Sequence, residues 1–84
     1  MKYSLITFRS VTPAQKGERA LRRAGYSCNI QRTPRRMEEQ GCGYSIRIQY
    51  TDIVTCVKIL RENNINFRKV YLMRGNEVIE ELTL

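Results

Sequence analysis

Among the side chains able to act as nucleophile, acid, base or metal ligand, three cysteines stand out: Cys28, Cys42 and Cys56, spaced fourteen residues apart. Cys42 differs from the other two because it lies between Gly41 and Gly43, outside any apolar pattern. Glycine on both sides removes two side chains that would screen the sulfur, and lets backbone N–H groups turn toward a thiolate as donors. Arg32, Arg35 and Arg36 lie six to ten residues upstream, and nearby cations lower a thiol's pKa and enlarge its thiolate fraction. Glu38 and Glu39 act in the opposite sense. The pattern therefore suits an accessible, nucleophilic thiolate at Cys42, with Gly41, Gly43, Arg35 and Arg36 in support. A plainer alternative makes Gly41-Cys42-Gly43 a tight lead-in to a strand in which the small polar residue happens to be cysteine.

Other chemistries are less well served. Histidine is absent, which removes the side chain most often used as acid, base or metal ligand near neutral pH. No C-x-x-C pair is present to clip a zinc ion or run a dithiol cycle, and an odd cysteine count does not suit a disulfide framework. The expectation is a chain with no metal site and no cofactor.

The residues that would position such a thiol must come from one small unit. With 84 residues, 42% hydrophobic and 27% charged, the sequence has the make-up of a globular protein, and residues 1–84 are expected to form a single domain. A domain of this size buries only about 60–65% of the surface its unfolded chain exposes, so the core is thin and any chemistry belongs to a surface loop. No run approaches the length of a membrane span, and residues 1–8 are too short for a signal-peptide core, so no membrane and a cytoplasmic location are expected.

Charge narrows the partners only by sign. Fifteen Lys and Arg face eight Asp and Glu, for a net charge of +7. Three of the acids, Glu77, Glu80 and Glu81, fall in the last eight residues, so residues 1–76 carry fifteen cations against five acids, a net +10. Such a field steers nucleic acid, an anionic small molecule or an acidic protein surface, and it also serves solubility alone.

Residues 3–8 are β-branched and aromatic and suit a first strand. Thr12 before Pro13, three residues ahead of Gln15, has capping-box spacing and predicts a helix start, with Ala14, Gly17, Ala20, Leu21 and Ala24 on its inner face and Gly25 as its stop. Residues 26–32 alternate with Tyr26, Cys28 and Ile30 on one side, a second strand in which Cys28 is a small core residue. A loop of about ten residues follows, longer than most hairpin connections. Tyr44, Ile46, Ile48 and Tyr50 then alternate with Ser45, Arg47 and Gln49, a third strand with one wet face. Thr51 and Asp52 precede a helix whose apolar stripe, Ile53, Cys56, Val57 and Leu60, places Cys56 in the core, and the helix ends at Asn63-Asn64. Residues 67–73 form a fourth strand, Gly75-Asn76 a two-residue turn, and residues 77–82 an edge strand. The order predicts an α+β, ferredoxin-like (βαββαβ) antiparallel sheet with two helices on one face and an extra C-terminal edge strand.

The whole length, with Pro34-Arg35 followed by Cys42-Gly43 at the head of the third strand, resembles the selenium/sulfur carrier-like family of small bacterial proteins. The resemblance covers residues 2 to 75, and the tail with Glu80 and Glu81 has no counterpart in it. It implies a carrier rather than an enzyme, in which Cys42 accepts sulfur or selenium as a persulfide or selenosulfide. The partners it implies are a donor such as a cysteine desulfurase and an acceptor protein.

Two other classes compete. Gly43-Tyr44-Ser45-Ile46 begins like the base-stacking strand of RNA-recognition modules, but Cys42, Ile46 and Ile6 stand where a basic and two aromatic residues belong. A binding module using the basic surface for RNA or another anion is the runner-up. An assembly module, with the edge strand joining two copies, is the third, so monomer and homodimer both remain open.

Overall fold

A computed structural model describes residues 2–33 and 43–84. The elements run β1 (Lys2–Phe8), α1 (Val11–Arg23), β2 (Asn29–Arg32), β3 (Tyr44–Gln49), a single 3-10 turn (Tyr50–Asp52), α2 (Ile53–Glu62), β4 (Val70–Arg74) and β5 (Glu77–Leu82). The strands form one antiparallel sheet in the order β2-β3-β1-β4-β5. The protein is thus α+β with a five-stranded sheet, and β5 on the outer side of β4 makes the order differ from a plain βαββαβ arrangement.

The apolar residues explain why both helices dock where they do. Ile6 and Phe8 of β1 pair with Ile46 and Tyr44 of β3, so their side chains share one sheet face. They join Ala14 and Leu21 of α1, and Ile53, Cys56, Val57 and Leu60 of α2, in a single buried cluster. All four residues of the expected α2 stripe are buried. Gly17 lets α1 come close to the sheet: a Cβ there would lie 3.2 Å from both Ile46 Cδ1 and Leu60 Cδ2 and 3.3 Å from Phe8 Cζ.

Several boundaries differ from the sequence expectation. Helix α1 starts at Val11 with Ser10 as its N-cap, so Thr12 lies inside the first turn and the capping box with Gln15 does not form. Pro13 is still tolerated there because no first-turn N–H has an intrahelical acceptor. Gly25 does stop the helix, at φ +96°. The Gly25 N–H donates to the Arg22 carbonyl and the Tyr26 N–H to the Leu21 carbonyl, both at 3.0 Å, a Schellman closure. That closure uses Tyr26 and delays β2 to Asn29, three residues later than expected, while Ala24 becomes the exposed C-cap rather than part of the buried face.

The second helix ends in the same way on Asn64, φ +57°, with the Ile65 N–H bonded to the Leu60 carbonyl at 2.9 Å. β3 ends at Gln49, one residue before the expected Tyr50, which begins the 3-10 turn. β4 starts at Val70 rather than at residue 67. The preceding residues are nonetheless tied to β1: the Thr7 N–H donates to the Lys69 carbonyl at 2.8 Å and the Arg68 N–H to the Thr7 carbonyl at 2.7 Å. The Arg74–Glu77 hairpin closes through Gly75, φ +59°, and β5 occupies residues 77–82 as expected.

Candidate functional site: the cysteines and the β2–β3 end of the sheet

Two of the three cysteines are placed by the core. Cys28 is 4% exposed, its thiol donates to the Glu18 carbonyl at 3.8 Å, and it packs between the end of α1 and the start of β2. The same corner is tied by Arg22 Nη2, which donates to the Cys28 carbonyl at 3.0 Å and pairs with Glu18 Oε2 at 3.3 Å, and by the Ile30 N–H donating to that carboxylate. Burial pushes the Cys28 thiol above its ordinary value; Arg22 pulls the other way and the Glu18 charge adds to burial. Cys56 is fully buried in the α2 stripe, and burial, reinforced by the charges of Asp52 and Cys28, pushes it up to about 12. A buried thiol whose pKa is raised is a poor nucleophile near neutral pH. Both cysteines are core residues, as their apolar patterns implied.

Cys42, Gly41, Arg35 and Arg36 lie outside the described residues. Gly43, the sequence neighbour of Cys42, is described. It is buried at the head of β3, and its carbonyl accepts the Thr33 N–H at 3.0 Å. Thr33 and Gly43 thus face each other across the β2–β3 end, and the Thr33 and Ser45 hydroxyls lie 2.6 Å apart just inside it. The alternation of β3 placed Ser45 on a wet face, but Thr33, diagonal to it on the β2 side, supplies a buried hydroxyl, and Ser45 is buried with it; Arg47 and Gln49 remain exposed. No local pattern could have reported this, because Thr33 and Ser45 meet only through the strand pairing.

The same end of the sheet gathers two other connections. Phe8 pairs with Tyr44, so β1 delivers Arg9 and Ser10 beside the head of β3, and the Thr7 bonds bring Arg68 and Lys69 to the other side of β1. Position 43 is therefore at the end of the sheet that also carries Arg9, Arg68 and Lys69. Sequence reasoning passed over Arg9, Arg68 and Lys69, whose only local signal is that each cation flanks a strand end.

Tyr44 bears on the RNA reading. It is half-buried and packs against the core cluster, on the helix side with Ile46. Its ring is not offered to a base on the open sheet face, where Tyr3 instead carries the Arg47 guanidinium 4.0 Å from its centroid.

Among the described residues no group of three or more His, Cys, Asp and Glu side chains could hold a metal ion, and no helix is long and apolar enough to cross a membrane. The family model described as "Putative Se/S carrier protein-like" matches residues 2–72, which takes in every element except part of β4 and all of β5. No curated protein matches the chain.

Proposed function

Because the chain belongs to this Se/S carrier protein-like family, we propose that it holds sulfur or selenium on Cys42 as a persulfide or selenosulfide and relays it between partner proteins. The observation that carries the assignment is the state of the other two cysteines. Cys28 and Cys56 are buried with raised thiol pKa values, which supports the third cysteine, Cys42, as the carrier position.

The chemistry needs no cofactor and no net oxidant. The Cys42 thiolate attacks the terminal sulfur of a donor persulfide; a new S–S bond forms, the donor's S–S bond breaks, and its electron pair leaves on the donor thiolate. Delivery repeats the step with an acceptor nucleophile, and Cys42 departs as thiolate. Gly41 and Gly43 leave the sulfur approachable, while Arg35 and Arg36 stabilise the thiolate and attract an acidic donor surface such as that of a cysteine desulfurase. The strand order β2-β3-β1-β4 with both helices on one core supports a ferredoxin-like scaffold extended by β5.

Cyanide strips sulfane sulfur as thiocyanate, which gives a direct test. After incubation with a cysteine desulfurase and cysteine, the desalted wild-type protein should release about one equivalent of thiocyanate and Cys42→Ser none. Equal release from both proteins removes Cys42 from the role, and no release from either removes the carrier reading.

A further inference from the structure

An open groove of about 740 Å³ lies between the start of α1 and the connection from α2 to β4. Among the described residues that line it, four are cations, Arg9, Lys16, Arg68 and Lys69, and none is acidic. They come from three stretches of chain: the β1–α1 link, the second turn of α1, and the lead into β4. Ser10, Asn64 and Asn66 add neutral hydrogen-bonding groups along the same walls.

The backbone fixes where these charges stand. Arg68 and Lys69 are held against the end of β1 by the Arg68 N–H to the Thr7 carbonyl, the Thr7 N–H to the Lys69 carbonyl, and the Lys69 N–H to Thr7 Oγ1 at 3.0 Å. Arg9 follows two residues after Thr7. Positively charged groups confined to one concave surface repel one another, and that repulsion is relieved when an anion enters. Lys69 also meets Glu81 of β5 at 3.7 Å, a contact that offsets part of the positive charge. Helix α1 has no acidic residue in its first turn, and Ser10 makes no side-chain cap bond, so nothing on the helix itself opposes negative charge there.

We propose that this groove binds a small phosphate-class dianion, a phosphate or phosphate monoester, through Arg9, Lys16, Arg68 and Lys69. Concavity favours a small ligand over an acidic protein face, because donors converge from three segments on one volume instead of lying along a flat surface. The proposal does not depend on the Cys42 reading, although the groove and the head of β3 share one end of the sheet.

Inorganic phosphate and phenyl phosphate, added at constant ionic strength against a chloride control, are the probes, and backbone amide shifts are the readout. The expected result, in wild type and Cys42→Ser alike, is saturable shifts concentrated at Arg9, Ser10, Thr12 and Arg68 with at least one of the two. The double variant Arg9→Gln/Lys16→Gln should keep the wild-type spectrum elsewhere and bind about tenfold more weakly, the scale of losing exposed charge-assisted contacts. Linear, dispersed shifts, or affinity unchanged in the double variant, would overturn the proposal. So would saturable binding of poly-glutamate without binding of either phosphate, which would make the groove a docking site for acidic protein.

Discussion

Native-state alkylation of the three thiols puts a number on the argument from elimination. Cys56, pushed up to about 12, would have a thiolate fraction of about 3 in 100,000 at pH 7.5, against about a tenth for a thiol at the ordinary value near 8.5. That is a deficit of about three thousandfold. A more basic thiolate is the better nucleophile, and a Brønsted coefficient of about 0.45 returns a factor of about forty, so ionisation alone leaves Cys56 about a hundredfold slower. Burial multiplies this, because Cys56 is fully covered and reacts only after an opening of the α2 packing. Cys28, 4% exposed and also raised, should follow the same rule. Iodoacetamide labelling read by peptide mass over time should therefore modify Cys42 first, with Cys56 at least a hundredfold slower and Cys28 also slowed until denaturant is added. Labelling of either buried cysteine within a factor of ten of Cys42 would refute the reasoning and return all three thiols to consideration.

Other outcomes follow from the packing and from the same thiol. For Gly17→Ala, the new methyl would press on Ile46, Leu60 and Phe8, all fully buried, at about 1–3 kcal/mol, while alanine's helix preference returns about 1 kcal/mol; urea unfolding should show a net loss of about 1 kcal/mol, and a gain would mean the core yields freely. The raised Cys56 pKa gives a pH signature. Below about 9 the thiol is protonated in both states and its contribution is constant; between 9 and about 12 the unfolded chain has released the proton that the native state keeps, so stability falls as pH rises, by about 1.4 kcal/mol per unit. The slope of unfolding free energy across that window should be shallower in Cys56→Ala than in wild type, and equal slopes would show that the buried thiol does not resist ionisation.

Elements that carry their own punctuation were legible in the sequence. The α2 stripe, the Gly25 stop, the Gly75-Asn76 turn and β5 all lie where residue types and spacing placed them, because each depends on a local pattern or on a residue that accepts positive φ. Features set by long-range pairing were not. Where α1 begins depends on where β1 releases the chain, so a good capping box at Thr12 lost to Ser10. The extent of β2 was cut short because Tyr26 is spent on closing α1, and Ser45 is buried with its hydroxyl against that of Thr33, brought there by the β2–β3 pairing. For the candidate site, the cores around Cys28 and Cys56 confirm the role their apolar neighbours suggested. The loop arguments for Cys42, Gly41, Arg35 and Arg36 rest on sequence, since those residues lie outside the described ones. The groove went unread because its cations come from two regions far apart in sequence, Arg9 with Lys16 and Arg68 with Lys69, which meet only when Thr7 ties the β4 lead to the end of β1.

Intact mass of the protein after incubation with a cysteine desulfurase and free cysteine, beside Cys42→Ser treated identically, tests the carrier reading most directly. Wild type alone should gain the mass of a single sulfur atom, and a thiol reductant should remove it. No gain in wild type, or the same gain in both proteins, would contradict the carrier reading and make Cys42 a structural residue.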